Sequence, residues 1–479
     1  MQNYRRERDS LGVRRVPAKA YYGIHTVRAI ENFPITGIPI AHYPSLPVAL
    51  AYLKSAAASA NAGLNLLDAK RRFAIQRACR EIIAGKLHDQ FVVDVIQGGA
   101  GTSTNMNANE VVANRGLELL GREKGDYRSL HPLDHVNLSQ STNDVYPTAL
   151  KLTAYLMLQE LIASLRYGIR VFERKGREFR SVLTMGRTQM QDAVPMTLGQ
   201  AFGAYAVTLG EDVQRIEDTM KLLTEINMGA TAIGTGINTH PRYSRRVREE
   251  LTALTGIRFV TAPDLVEATQ DTGVFVLLSG VLKRLAVKMS KIADDLRLLS
   301  SGPIAGLGEI NLPAMQPGSS IMPGKVNPVI PEVINQIAFQ VIGSDLTVTL
   351  AAASGQLQLN AFEPVIGYNL FDSIEMLKDG CRILSDRCVA GITANVERCR
   401  SNVMRSPGLA TVLNPLIGYE RAALIAKESL RAGRSVYDLA LEMRIVTKEQ
   451  LDALMDPRRL TGPSVPMRRK ARGRPVRPR

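Results

Sequence analysis

FVLLSGVLKRLAVKMSKIADDLRLL, residues 275–299, places Phe275, Leu278, Leu282, Leu285, Met289, Ile292, Leu296 and Leu299 at successive spacings of three and four. Side chains so spaced share one face of an α-helix, and a seam this long is buried only when the helix runs beside others in a bundle. Upstream, Asp264 with Glu267 three positions later makes a capping-box-like helix start. Apolar-periodic tracts of similar length occupy residues 150–179, 197–226, 331–353 and 363–392. Five helices of more than twenty residues each, with few strand-like alternations between them, predict an all-α bundle.

At 479 residues the chain exceeds one hydrophobic core, so two or three domains are expected. We place an N-terminal domain over 1–148, the bundle over 149–400 and a small C-terminal helical domain over 401–462. In the last of these, 417–431 and 435–444 read as helices, and Thr447-Lys448-Glu449-Gln450 opens another that ends near Leu460. Residues 463–479 read as a basic, disordered tail.

The net charge is +15, and residues 467–479 carry seven basic side chains and no acid, leaving +8 on the rest. A moderately basic surface is an ordinary outcome and also steers anions toward it. Within the tail, Arg472-Gly473-Arg474-Pro475 resembles the core of an AT-hook, a minor-groove reader. One short copy weighs less than a solvated tail, so nucleic acid is not the expected partner. Cys79, Cys381, Cys388 and Cys399 are too few and too unevenly placed for a disulfide framework and read as buried thiols. There is no run of 18 apolar residues, and the opening MQNYRRER is polar throughout. A soluble cytoplasmic protein without a membrane span is the expectation.

Gly318-Ser319-Ser320-Ile321-Met322-Pro323-Gly324-Lys325-Val326-Asn327-Pro328 carries the chemistry. Its glycines loosen the backbone and its prolines stiffen the ends, which reads as a lid over 318–328. Two serine hydroxyls, the charge of Lys325 and the amide of Asn327 suit a carboxylated substrate. Pro331 and Glu332 then read as the first turn of a helix, with proline at its first position. Three further blocks are rich in hydroxyls and amides: Gly98 to Asn107, Ser139-Gln140-Ser141-Thr142-Asn143-Asp144, and Gly186-Arg187-Thr188-Gln189-Met190-Gln191-Asp192. Taken alone, the first reads as a helix cap or turn and the other two as helix N-caps.

The lid with its continuation Val329-Ile330-Pro331-Glu332-Val333-Ile334-Asn335-Gln336 resembles the signature of the aspartase/fumarase superfamily, and the other blocks stand in the order and spacing of its signature regions. The resemblance runs from about Tyr21 to about Leu460. It implies a three-domain, all-α aspartase/fumarase-like fold with a central long-helix bundle, a homotetramer, and active sites that each combine loops from three chains. Ser319 is implied as the catalytic base. Thr102, Ser141, Thr142, Asn143, Thr188, Gln189, Ser320, Lys325 and Asn327 are implied as substrate contacts, with Glu332 in support. Val329-Ile330-Pro331 resembles the ammonia-lyase branch rather than the hydratase branch. That branch reversibly eliminates ammonia from L-aspartate to give fumarate through an aci-carboxylate. Neutral hydroxyls suit such a reaction, because they can strengthen their hydrogen bonds as charge develops on the carboxylate. No organic cofactor and no metal site is implied, although some members respond to a divalent ion such as Mg2+.

Two positions depart from the superfamily's pattern. Gln189 stands where histidine is usual, opposite the acid that corresponds to Glu332. Glutamine neither stores nor delivers a proton near neutral pH. Departing hydroxide needs that proton, whereas an ammonium already carries one, so the change favours deamination. At His131-Pro132-Leu133-Asp134-His135 leucine replaces the frequent asparagine, and the segment reads as a surface helix start rather than a metal face or a second anion site. A hydratase, a lyase for another N-substituted succinate, and a non-catalytic scaffold with a DNA-binding tail stay open.

Overall fold

The computed structural model describes residues 3–463; the basic tail with its AT-hook-like motif lies outside the described residues. The chain is all-α in architecture. Its described strands form four two-stranded sheets, the longest being the hairpins Tyr4–Asp9 with Gly12–Pro17 and Leu183–Thr188 with Gln191–Thr197. The five long helices are Thr142–Glu178, Leu198–Leu222, Gly273–Leu299, Val329–Ala353 and Glu363–Arg387. Their residues are divided between two compact units, one made of residues 3–164, 212–287 and 336–379, the other of 165–211, 288–335 and 380–463.

The predicted seam is buried: Phe275, Leu278, Leu282, Leu285, Met289, Ile292 and Leu296 are each at most 1% exposed, and Leu299 is half-buried. Its start differs from expectation. Asp264 caps only the short helix Leu265–Gln270, accepting from the Val266 and Glu267 amides. Asp271 then leaves the helix in an extended conformation, and its carboxylate accepts from Gly273 N at 3.1 Å where the long helix begins. A second aspartate that supplies a cap of its own splits what reads as one tract into two.

In the first unit the Gly273–Leu299 and Val329–Ala353 helices are tied by Asp345, which accepts from Ser279 Oγ at 2.8 Å and Lys283 Nζ at 2.5 Å. Arg284 pairs with buried Asp212. Tyr21 to Thr26 docks on buried Glu110, whose carboxylate takes the amides of Gly23, His25 and Thr26 and the Thr26 hydroxyl. A Cβ on Gly23 would stand 2.7 Å from Glu7, so only glycine fits there.

Glu363 opens its helix inside this unit, 2% exposed, with Oε2 unpartnered. Burial pushes its carboxyl up to about 8, and burial pushes nearby Lys151 down. The folded pKa lies above the ordinary 4.5, so the native state holds the proton more tightly than the unfolded chain does. The stability it contributes is complete below about 4.5 and is lost as pH rises toward 8. Glu363→Gln, which mimics the protonated acid, is expected to melt progressively higher than the parent between pH 5 and pH 8. Melting curves at several pH values check this, and a constant gap would contradict it.

In the second unit the rings of Phe172, Phe179, Phe202 and Tyr205 pack edge to face or tilted, with centroids 5.3–6.2 Å apart. The Tyr205 hydroxyl donates to Asp295 at 2.7 Å, and Asn335 donates to Ser290 and Asp294. The C-terminal helices are Tyr419–Ala432, Val436–Glu442 and Lys448–Leu454. The last opens on a reciprocal capping box between Thr447 and Gln450, as its sequence predicts. All four cysteines are free and buried, and burial pushes each thiol up to about 12.

By length and composition one described helix, Val329–Ala353, could cross a membrane. It carries Glu332, Asn335 and Asp345, and the last two are tied to neighbouring helices within their units. Its exposed apolar side chains Phe339, Ile342, Leu346 and Leu350 recur at three- and four-residue spacing, a stripe along one face.

Candidate active site

The first hydroxyl block turns through three left-handed residues, Gly99, Ala100 and Gly101, with φ of 88°, 52° and 84°. A Cβ on Gly101 would fall 2.3 Å from the Tyr146 ring, so this turn depends on glycine. It delivers Thr102, exposed, to the first position of the helix Thr102–Leu119, where its Oγ1 donates to Gly99 O at 2.8 Å. The helix and turn readings of this block are both correct.

The second block is an N-cap, as expected. Ser141 Oγ accepts from Asn143 N at 3.1 Å, and Asp144 Oδ1 accepts from Ser141 N at 3.0 Å, a reciprocal arrangement at the start of Thr142–Glu178. The other Asp144 oxygen accepts from Gly229 N and Thr231 N, and burial pushes this carboxyl up to about 7. Asn143 donates to Ala232 O at 2.6 Å. Asn105, in the first turn of the preceding helix, donates to Thr142 Oγ1 at 3.1 Å. The structure thus brings the first two blocks together.

The third block is not an N-cap. It is the tip of the hairpin Leu183–Thr188/Gln191–Thr197, in which Gln189 and Met190 form the two-residue turn with φ of 52° and 64°. Two positive φ values match the twist of antiparallel strands, the geometry usually built with asparagine and glycine. Arg187 anchors the hairpin: its guanidinium meets Glu309 Oε1 at 2.5 Å and Oε2 at 3.2 Å. Glu309 has no exposed surface and also accepts from Thr184 and Asn402. Burial alone would raise its carboxyl, but the bonds from Arg187, Asn402 and Thr184 prevail and hold it below the usual range. A cavity of about 550 Å³ beside the hairpin is lined by Arg187, Gln189, Tyr205, Lys291, Asp295 and Glu309, among others. The lid residues are not in that lining.

The segment read as a lid is pinned at its base by hydrogen bonds. Gly318 N donates to Lys325 O at 2.8 Å, and Asn327 Nδ2 donates to Gly318 O at 2.8 Å. A Cβ on Gly318 would lie 2.6 Å from Lys325 O, so this glycine serves close approach of two backbones rather than looseness. Ser319 Oγ accepts from Ile321 N at 3.2 Å and Met322 N at 2.9 Å. Those two amides would stabilise a developing alkoxide. Ser320 and Lys325 are exposed on the same loop. The following helix starts at Val329, which moves Pro331 from the expected first position to the third. Proline fits there because the first four amides of a helix have no intrahelical partner.

Gln189 and Glu332 make no hydrogen bond to each other within the chain, and both side chains are open to further partners. His131 caps the turn Pro132–Val136, accepting from Leu133 N and Asp134 N at 3.1 Å, and His135 Nδ1 accepts from His131 N. The segment is capped as a helix start is, but it ends after one five-residue turn instead of opening a helix. No group of three His, Cys, Asp or Glu side chains is placed to hold a metal ion among the described residues. Sequence reasoning missed Asn105, the Arg187–Glu309 pair and buried Lys54. The last had a visible signal, a lone charge within the apolar, small-residue helix Ser45–Gly63.

Comparison with known proteins gives the family. Residues 12–343 match the family described as Lyase, and residues 409–462 match Fumarase C C-terminus. The chain belongs to the aspartase/fumarase superfamily of lyases. It is 56% identical over 462 residues to an aspartate ammonia-lyase of Pseudomonas fluorescens, covering 96% of this chain and 97% of the relative. To the aspartate ammonia-lyase of Escherichia coli K12 it is 52% identical over 468 residues, covering 98% of each. Among solved structures, a fumarate lyase:delta crystallin from Brucella melitensis bound to cobalt superposes with a TM-score of 0.94 at 56% identity, covering 96% of this chain and all of that one. A class II fumarase from Schistosoma mansoni gives 0.89 at 36% identity, covering 95% of this chain and 98% of that one.

Proposed function

We infer that this lyase is an aspartate ammonia-lyase, reversibly converting L-aspartate to fumarate and ammonia. The observation that carries the reading is identity of 52–56% over nearly the whole chain to aspartate ammonia-lyases, against 36% to a class II fumarase. Ser319, acting as an alkoxide held by the Ile321 and Met322 amides, takes a proton from the carbon beside the β-carboxylate and becomes the neutral hydroxyl. The electron pair moves onto that carboxylate as an aci-carboxylate, then returns to form the double bond as the C–N bond breaks and ammonia leaves with its own proton. Ser141, Thr142 and Ser320 donate to the charge as it develops, and Thr102 joins them when its hydroxyl turns from Gly99 O to the substrate. Lys325 and Asn327 hold the α-carboxylate, with Asn143, Thr188 and Gln189 completing the set and Glu332 behind them. No step passes through a cofactor or a divalent ion.

A homotetramer, with each active site drawing loops from three chains, is part of this reading, and the exposed stripe from Phe339 to Leu350 supports it. Four buried free thiols are in keeping with a reducing, cytoplasmic setting. The test follows fumarate by ultraviolet absorbance with aspartate and malate in parallel. Turnover of aspartate alone is expected; turnover of malate alone would reverse the assignment.

Restoring histidine at the hairpin tip provides a second test. A left-handed residue is better tolerated as histidine than as most side chains, so Gln189→His fits the observed φ of 52°. Activity on aspartate is expected to rise only modestly, because the departing amine already carries its proton and an imidazole there serves to orient it. No change in kcat would show that this position does not reach the substrate.

A further inference from the structure

Lys54 has no exposed surface, on a helix whose neighbouring positions Leu50, Leu53 and Ala57 are core. An apolar residue would be the economical choice there, because a buried ammonium costs desolvation that it recovers only through well-made bonds. All three of its hydrogens are used: Nζ donates to Asn105 Oδ1 at 2.7 Å, Asn137 Oδ1 at 2.9 Å and Gln140 Oε1 at 2.9 Å.

Burial pushes Lys54 down to about 7, and in its ammonium form it can only donate, so whatever then faces it must be oxygen. That constraint removes the usual ambiguity of an asparagine amide. Asn105 must turn its oxygen to Lys54, which sends its nitrogen the other way, toward Asn137 Oδ1 at 3.2 Å and Thr142 Oγ1 at 3.1 Å. Asn137 is held in the same sense, its oxygen taking the lysine and its nitrogen donating to Gln140 O at 3.1 Å. The Thr142 hydroxyl is therefore an acceptor on its inner side, and its own hydrogen has no acceptor among the described residues. It is free to point at a ligand oxygen.

We infer that Lys54 is a positioning residue for the reaction: acting through Asn105, it fixes the direction in which Thr142 donates its hydroxyl proton, outward to the substrate carboxylate. The inference rests on the reading of Thr142 as a substrate contact. Without Lys54 the Asn105 amide can turn over and present its oxygen to Thr142. The hydroxyl then donates inward, and a bound carboxylate meets a lone pair instead of a hydrogen.

Three variants of the full-length enzyme test this by kcat and KM for aspartate together with melting. Thr142→Val removes the hydroxyl and is expected to lower kcat by about 10²-fold, the cost of losing one donor to developing charge. Asn105→Asp keeps an oxygen for Lys54 but also places oxygen against Thr142. A loss in kcat of the same size is expected, without a lower melting temperature. Lys54→Met added to Thr142→Val should lower kcat no further, because both act on one hydroxyl; a merely structural lysine would add its own loss. Wild-type kcat in Asn105→Asp beside an impaired Thr142→Val would overturn the inference and leave the site reading intact. Wild-type kcat in Thr142→Val would overturn both. If Lys54→Met does not assemble, Asn105→Asp decides.

Discussion

Ser319→Ala is expected to lower the rate of fumarate formation from aspartate by about 10²–10⁴-fold, the range a positioned general base contributes, while leaving assembly and melting unchanged. The two effects separate because of where the side chain sits. Ser319 is half-buried on a largely exposed loop, and among the described residues its hydroxyl bonds to Ile321 N and Met322 N, two and three residues on. Losing such a local turn bond costs within about 0.5 kcal/mol, as most surface substitutions do. Those same two amides are the reason the serine can act at all, since they would meet negative charge on Oγ before any solvent could. The loss should appear in kcat with little change in KM, the signature of an interaction made only in the transition state. Near-normal kcat in this variant would remove Ser319 from the mechanism.

Arg187→Met is expected to produce the largest loss of stability, about 3–5 kcal/mol, because it strands a buried carboxylate. Glu309 has no exposed surface, and the 2.5 Å contact from Arg187 supplies its one cationic partner among the bonds described. Thr184 and Asn402 would still donate to it, but neutral donors do not neutralise a charge. The midpoint of urea unfolding measures the effect. Adding Glu309→Gln should recover most of it, since the amide leaves no charge behind. A single variant within about 1 kcal/mol of the parent would show that the pair merely marks time. Activity should also fall, because the same arginine anchors the hairpin that presents Thr188 and Gln189.

Much of the architecture can be read from spacing alone. The apolar seam of Gly273–Leu299, the existence of the other four long helices and the helix start at Thr447 are local patterns with local causes. Ser141 and Asp144 at the start of a helix are equally local. The hairpin at 183–197 escaped notice because Gln189-Met190 has none of the glycine or asparagine that normally announces such a turn. The break at Asp271 was hidden by unbroken apolar periodicity on either side of it. The bond from Asn105 to Thr142 joins residues 37 apart, and that between Arg187 and Glu309 spans 122. No spacing rule reports such pairs. They are consequences of the fold, and they decide how the hydroxyls and the hairpin are held.

The interior placement of Cys79, Cys381, Cys388 and Cys399 makes the molecule nearly blank to thiol-directed dyes under native conditions. A cysteine introduced at Val326, half exposed in the middle of the lid, would carry a fluorophore essentially alone. Any movement of this loop could then be timed against product appearance in a single stopped-flow trace.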